Sequence, residues 1–113
     1  MPLLRAVSSS LILLLASPAT AAEYLCTPME VAVFANRIHI RCSASHSDGG
    51  STIWFWAVPT SDAQWANRVL STATTGMVAG RKLYLTFTPG DTSGQDFGCL
   101  AKDCRTITVI GLR

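Results

Sequence analysis

From Met29 onward, polar and apolar residues fall into short runs with a period of two, interrupted once by a stretch with the period of a helix. Arg37, His39 and Arg41 alternate with Ile38, Ile40 and Cys42, the mark of a strand buried on one face only. Glu30 to Phe34 precedes it, and Ala35-Asn36 reads as a tight turn, so the two runs form a hairpin. Ser43 to Ser51, with Asp48-Gly49-Gly50, reads as a polar loop. Thr52 to Val58, TIWFWAV, is apolar throughout. Such a run belongs to a strand covered on both faces, here by a helix on one side and by a neighbouring subunit or a barrel interior on the other. After the helical stretch, Leu83, Leu85 and Phe87 alternate within Lys82 to Thr88, Pro89 to Gly98 reads as a mobile loop of turn formers, and Thr106 to Leu112 is the final strand. The predicted order is β-β-β-α-β-β, an α+β fold that is mainly β.

The helical stretch is Ser61 to Gly80, SDAQWANRVLSTATTGMVAG. Ser61 and Gln64 have capping-box spacing, and Asp62 suits the positive end of the helix dipole. Ala66, Leu70, Ala73 and Met77, widened by Trp65 and Val69, make one apolar face, which predicts that the helix rests on a sheet. Gly76 weakens the last turns, and Gly80 can take the left-handed cap conformation, so the helix is expected to stop near Gly80.

Residues 1–22 read as a secretory signal peptide: Arg5 near the start, an apolar run from Leu11 to Ala16, Pro18, and small residues at Ala19-Thr20-Ala21-Ala22. Cleavage after Ala21 or after Ala22 fits equally. Residues 23–113 then make a single domain, secreted or periplasmic, and no later stretch is long and apolar enough to span a membrane. The whole chain carries a net charge of +2, and removing Arg5 leaves acid and base almost balanced, which argues against nucleic acid as a partner. In an exported chain four cysteines read as disulfides, with three possible pairings. Cys26–Cys42 and Cys99–Cys104 are favoured because local structure already brings each pair close, and they would contribute about 3 and about 2 kcal/mol. The cysteine spacing is neither that of a thioredoxin-type motif nor that of a zinc site.

A helix between the third and fourth strands is the order of a small OB-like five-stranded barrel. The run WFWAVPTSDAQWANRVLSTATTGMVAGRKLYLTF, followed by GCLAKDCR, resembles the cell-binding B subunits of bacterial toxins of the subtilase-cytotoxin and pertussis-toxin type. The resemblance covers Arg37 to Cys104 and rests on spacing more than on identities. This chain departs from the pattern in being short and in carrying RTITVIGLR after the last cysteine. It implies an exported OB-fold with two disulfides that forms a ring, a pentamer, and binds glycans beside a separate partner. None of that family's sugar-contacting residues is carried over.

Read by themselves, Arg37, His39 and Arg41 share one strand face and could hold an acidic sugar or another anion through charge-assisted hydrogen bonds; the same row also fits the solvated side of an amphipathic strand. Trp54, Trp56 and Trp65 have faces suited to stacking on sugars, yet two of them sit in an apolar run that fits core or subunit interface better. His46 reads as a solvated loop residue. There is no G-x-S-x-G elbow, no phosphate-cradling glycine loop, and no histidine spacing suited to a metal. Asp91 and Asp96 lie among turn formers, where aspartate serves the backbone. These observations favour a non-enzymatic binding protein without a cofactor: a ring-forming glycan-binding subunit, or a monomeric secreted or periplasmic module that binds or inhibits another protein through Pro89 to Gly98.

Overall fold

The computed structural model describes residues 20–113. The expected leader lies outside these residues except for its last three, and Ala22 already opens the first strand. The chain builds β1 (Ala22–Cys26), β2 (Pro28–Val33), β3 (Arg37–Asp48), β4 (Ser51–Pro59), α1 (Ala63–Ala79), β5 (Leu83–Phe87), a 3-10 turn (Ser93–Phe97), β6 (Cys104–Thr106) and β7 (Val109–Leu112). The described residues are mainly β with one α-helix, as the periodicity predicts, and carry the two disulfides expected from the cysteines. The ladders fall into two sheets, β1-β5-β7 and β2-β3-β4-β6, and do not close into a single barrel. Among the described residues, no helix is long and apolar enough to cross a membrane.

Three expectations about strands change. Ser43 to Asp48 is not a loop but the second half of β3, which resumes pairing with β4 at His46↔Ile53 after an irregularity. The bulge turns the strand while keeping it in the sheet, so a polar run can continue as β. β1, unforeseen, pairs antiparallel with β5. The last predicted strand is two: β6 runs parallel to β4, and β7 runs antiparallel to β5.

The helix begins one residue later than its capping pattern suggests. Asp62, not Ser61, is the N-cap, its carboxylate accepting the Trp65 N–H at 3.1 Å. An aspartate there satisfies the same orphan donor as a serine would and adds charge at the positive end of the dipole. Gly80 closes the helix at φ 66°, a conformation that costs a residue with a Cβ about 1 kcal/mol or more. The buried face is Ala66, Val69, Ala73 and Gly76, whereas Met77 is 40% exposed. Small residues lead because α1 lies close against strands of both sheets. A Cβ on Gly76 would stand 2.7 Å from a Leu83 methyl.

The main core joins Ile38 and Ile40 of β3, Ile53, Trp56 and Val58 of β4, Leu83, Leu85 and Phe87 of β5, and the buried face of α1. Both favoured disulfides form: Cys26–Cys42 staples the end of β1 to β3, and Cys99–Cys104 closes a small ring. On the other face of β4, Ala57 is fully buried beneath Cys99, Cys104 and Phe97. The second cover of the apolar strand is therefore the chain's own disulfide loop. The segment expected to be a mobile loop packs too, with Gly94 buried against Cys99 and Thr106.

One ion pair fastens these parts. Arg105 of β6 is 3% exposed; its Nε donates to Asp48 Oδ2 at 2.6 Å and its Nη1 donates to the carbonyls of Ala101 and Cys104 at 2.7 Å. The Gly90 amide donates to the same carboxylate oxygen at 2.8 Å. Burial alone would raise the Asp48 carboxyl, but the Gly90 amide, the hydrogen bond from Arg105 and the arginine's charge hold it below its ordinary 3.8. A carboxyl depressed on folding adds stability above its unfolded value and loses it as pH falls through the folded one. Asp48→Asn is expected to lower stability at pH 7 by about 3 kcal/mol, since it strands a buried cation, and adding Arg105→Met should recover part of that loss. Urea unfolding checks both, and between pH 4 and pH 2 the wild-type decline should be steeper than that of Asp48→Asn.

Candidate functional site

The outer face of the four-stranded sheet is set by the alternation in β3. With Ile38, Ile40 and Cys42 turned into the core, Arg37, His39 and Arg41 stand outside. Their cross-strand neighbours are Ala32 and Glu30 of β2, opposite His39 and Arg41, and Ala57 and Phe55 of β4, opposite the same two residues. The three predicted binding residues thus share one face.

Aromatic rings order the two arginines. The Arg37 guanidinium lies 3.9 Å from the centre of the Phe34 ring and donates to Asn36 Oδ1 at 3.1 Å. Gly98 backs onto it: its φ of 96° favours glycine, and a Cβ there would fall 2.7 Å from Arg37 Nη1 and push the guanidinium aside. The Arg41 guanidinium stands 5.7 Å from the Trp54 ring centre. Cations held over aromatic faces keep their N–H groups free for a ligand. His39 sits between the Phe34 and Phe55 rings, at 4.9 and 5.0 Å, and its Nε2 is 3.5 Å from Glu30. Burial pushes this imidazole below its ordinary 6.5, with the Arg37 charge acting in the same direction against Glu30 and Asp103. At neutral pH the face therefore carries two fixed cations and a neutral histidine.

Opposite this row stands the loop closed by Cys99–Cys104. Its Asp103 carbonyl accepts both the Trp54 and the Phe55 amides at 3.0 Å, and the Cys104 amide donates to the Leu100 carbonyl at 2.9 Å. Between Arg37, His39 and Phe55 on the sheet and Gly98, Leu100 and Asp103 on the loop lies a cleft of about 200 Å³. Its chemistry is mixed: the Arg37 guanidinium, the Asp103 residue and the apolar Phe55 and Leu100 side chains line one space. Such a site suits a ligand that is both acidic and hydroxylated.

The tryptophans part company. Trp54 is half-buried on this face, and Trp65 is half-buried at the edge of the main core. Trp56 is fully buried, stacked on Tyr24 at 5.2 Å and edge-on to Phe87 at 4.9 Å, so its ring belongs to the interior of this chain and offers nothing to a neighbouring subunit. Two residues apart, Trp54 and Trp56 would share a face under strict alternation, but the irregularity in the β3–β4 pairing falls here, between Arg41↔Phe55 and His46↔Ile53, and breaks it. His46 is not a solvated loop residue: it packs 4.9 Å from Tyr24 and 5.5 Å from Phe87. Phe34, Phe55, Gly98, Leu100 and Asp103 were not foreseen as site residues. The alternation of β4 against β3 signals Phe55, but the loop residues arrive through the parallel β4–β6 pairing, which no local pattern announces.

Because the loop is one wall of the cleft, the disulfide shapes the site. Replacing Cys99 and Cys104 together by serine is expected to cost about 2 kcal/mol. It should also raise amide hydrogen exchange at residues 99–104 while leaving that of β5 unchanged, read by exchange mass spectrometry. Compared with protein-family models and with curated proteins, the chain matches none of either.

Proposed function

We propose that this chain is an exported, non-enzymatic binding protein whose outer sheet face holds an acidic sugar. The observation that carries the reading is the pair of arginines ordered over Phe34 and Trp54 beside a cleft that also presents Asp103. The arginines supply fork-shaped donors to a carboxylate, the Asp103 carboxylate accepts sugar hydroxyls, and Phe55 offers an apolar face to ring C–H groups. A bare inorganic anion would have no use for the carboxylate.

The OB-like reading belongs with this proposal. Thr27 alone separates β1 from β2, and Ile107-Thr108 separates β6 from β7. Taken as two bent strands, they would join the sheets into a five-stranded barrel with α1 between its third and fourth strands. In an OB-fold the second and third strands carry the ligand face, and in this scheme those are β3 and β4. The toxin B-subunit resemblance points the same way, toward a ring of subunits in which each chain binds glycan beside a separate partner.

Calorimetric titration of the oxidised protein tests the binding. Glucuronic or galacturonic acid is expected to bind where glucose does not, and Arg37→Met should weaken the acid about tenfold or more, the effect of losing a charged hydrogen bond. Binding should strengthen as pH falls from 7 toward 5, because His39 gains its proton below 6.5 while the sugar acid stays ionised. Equal binding of glucose and the acids would remove the proposal. Light scattering tests the ring separately: a mass near about five chains is expected for a closed cyclic assembly, and a single-chain mass would remove the ring while leaving the site.

A further inference from the structure

We infer that a second subsite beside the cleft takes a neutral sugar unit next to the acidic one, so that the ligand is an acidic disaccharide or a longer chain; this rests on the acidic-sugar reading above. Beside the cleft lies a hollow of about 450 Å³ where three turns meet: Asn36 between β2 and β3, Pro59 to Ser61 between β4 and α1, and Asp96-Phe97 of the 3-10 turn. The two spaces are linked through the backbone at two points. Arg37 and Gly98 line the cleft, while their chain neighbours Asn36 and Phe97 line the hollow.

The rim is held without using up the groups a sugar needs. The Thr60 amide donates to the Asn36 carbonyl at 3.2 Å, and the Thr60 hydroxyl donates to the Ala35 carbonyl at 2.8 Å, tying two of the turns together. Asn36 Oδ1 accepts from Arg37, which leaves the amide nitrogen to donate. The side chains of Ser61 and Asp96 are exposed and make no hydrogen bond among the described residues. Phe97 packs on the Ala57 and disulfide cluster and remains half-exposed. A carboxylate acceptor, an amide donor and a hydroxyl around a ring face are the groups that engage neighbouring hydroxyls and the C–H side of a pyranose.

Size supports the pairing. A cleft of about 200 Å³ is small against the ~300 to 1,000 Å³ of well-filled ligand sites, and the neighbouring hollow of about 450 Å³ supplies the room it lacks. A protein partner would instead need about 800 Å² of continuous surface on each side, not two small hollows.

The test is titration of the oxidised full-length product with glucuronic and galacturonic acid, each free and linked to glucose. The linked form is expected to bind about tenfold tighter than the free acid, the worth of one to two added hydrogen bonds. Asp96→Asn and Ser61→Ala, both at exposed positions, should each reduce that gain and leave affinity for the free acid unchanged. If linked and free acids bind equally, or if neither substitution touches the gain, the second subsite is overturned and the acidic-sugar reading stands. If neither acid binds in either form, both readings fall.

Discussion

A guanidinium cannot be left bare inside a protein, and the arrangement of this chain around Arg105 follows from that requirement. Its partner Asp48 lies at the far end of β3, its carbonyl acceptors are in the disulfide loop, and the carboxylate is shared with an amide just beyond β5. Each contact comes from a different part of the chain. The polar tail of β3 remains a strand because Asp48 must reach this point, and the parallel β6 is short because its task is to present one arginine and one cysteine. The charge pair is thus less a source of net stability than a register mark, one that makes misaligned pairings of β3, β4 and β6 costly.

Around it the apolar material divides unequally. β4 is covered on its inner face by α1 and β5 and on its outer face by a patch of Ala57, the Cys99–Cys104 bridge and Phe97. That patch is a satellite core too small to stand alone, and the disulfide gives it the rigidity that its area cannot. The candidate site lies along the edge of this satellite. Arg37, His39 and Phe55 belong to the well-packed sheet, so the sheet fixes the charged half of the cleft and the disulfide-closed loop fixes the other.

What the sequence discloses is what is local. The alternation around Ile38 and Ile40, the glycine stop at Gly80, and the two disulfides between neighbouring segments all depend on residues a few positions apart or on a single hairpin. Read locally, Ser43 to Asp48 is a loop because the partners of its polar residues are distant: His46 packs on Tyr24 and Phe87, and Asp48 pairs with a buried arginine more than fifty residues away, on the order of half the chain, a separation that no short-range pattern reports. It missed β1 because Ala22 to Cys26 borders a leader-like segment and finds its partner only in β5. The capping pattern placed Ser61 where Asp62 serves because either residue can do the same work one position apart. Of the site, the basic row was legible and the facing wall was not. A row on a strand shows in its period, whereas a wall brought by parallel pairing shows only in the fold.

That parallel pairing has a consequence for how the chain reaches its working form. Between Phe55 and its partner Cys104 lie the helix, β5 and the 3-10 turn. Contacts that close so long a loop carry a large entropic cost and form late, after the hairpins and the helix have shortened the distance to be spanned. The sheet half of the cleft, built on the β2-β3-β4 meander, can exist early, while the half contributed by residues 98–104 exists only once nearly the whole chain is in place. Ligand recognition is in this sense a proof of completion: a chain stalled partway through folding displays the arginines but has no cleft in which to use them.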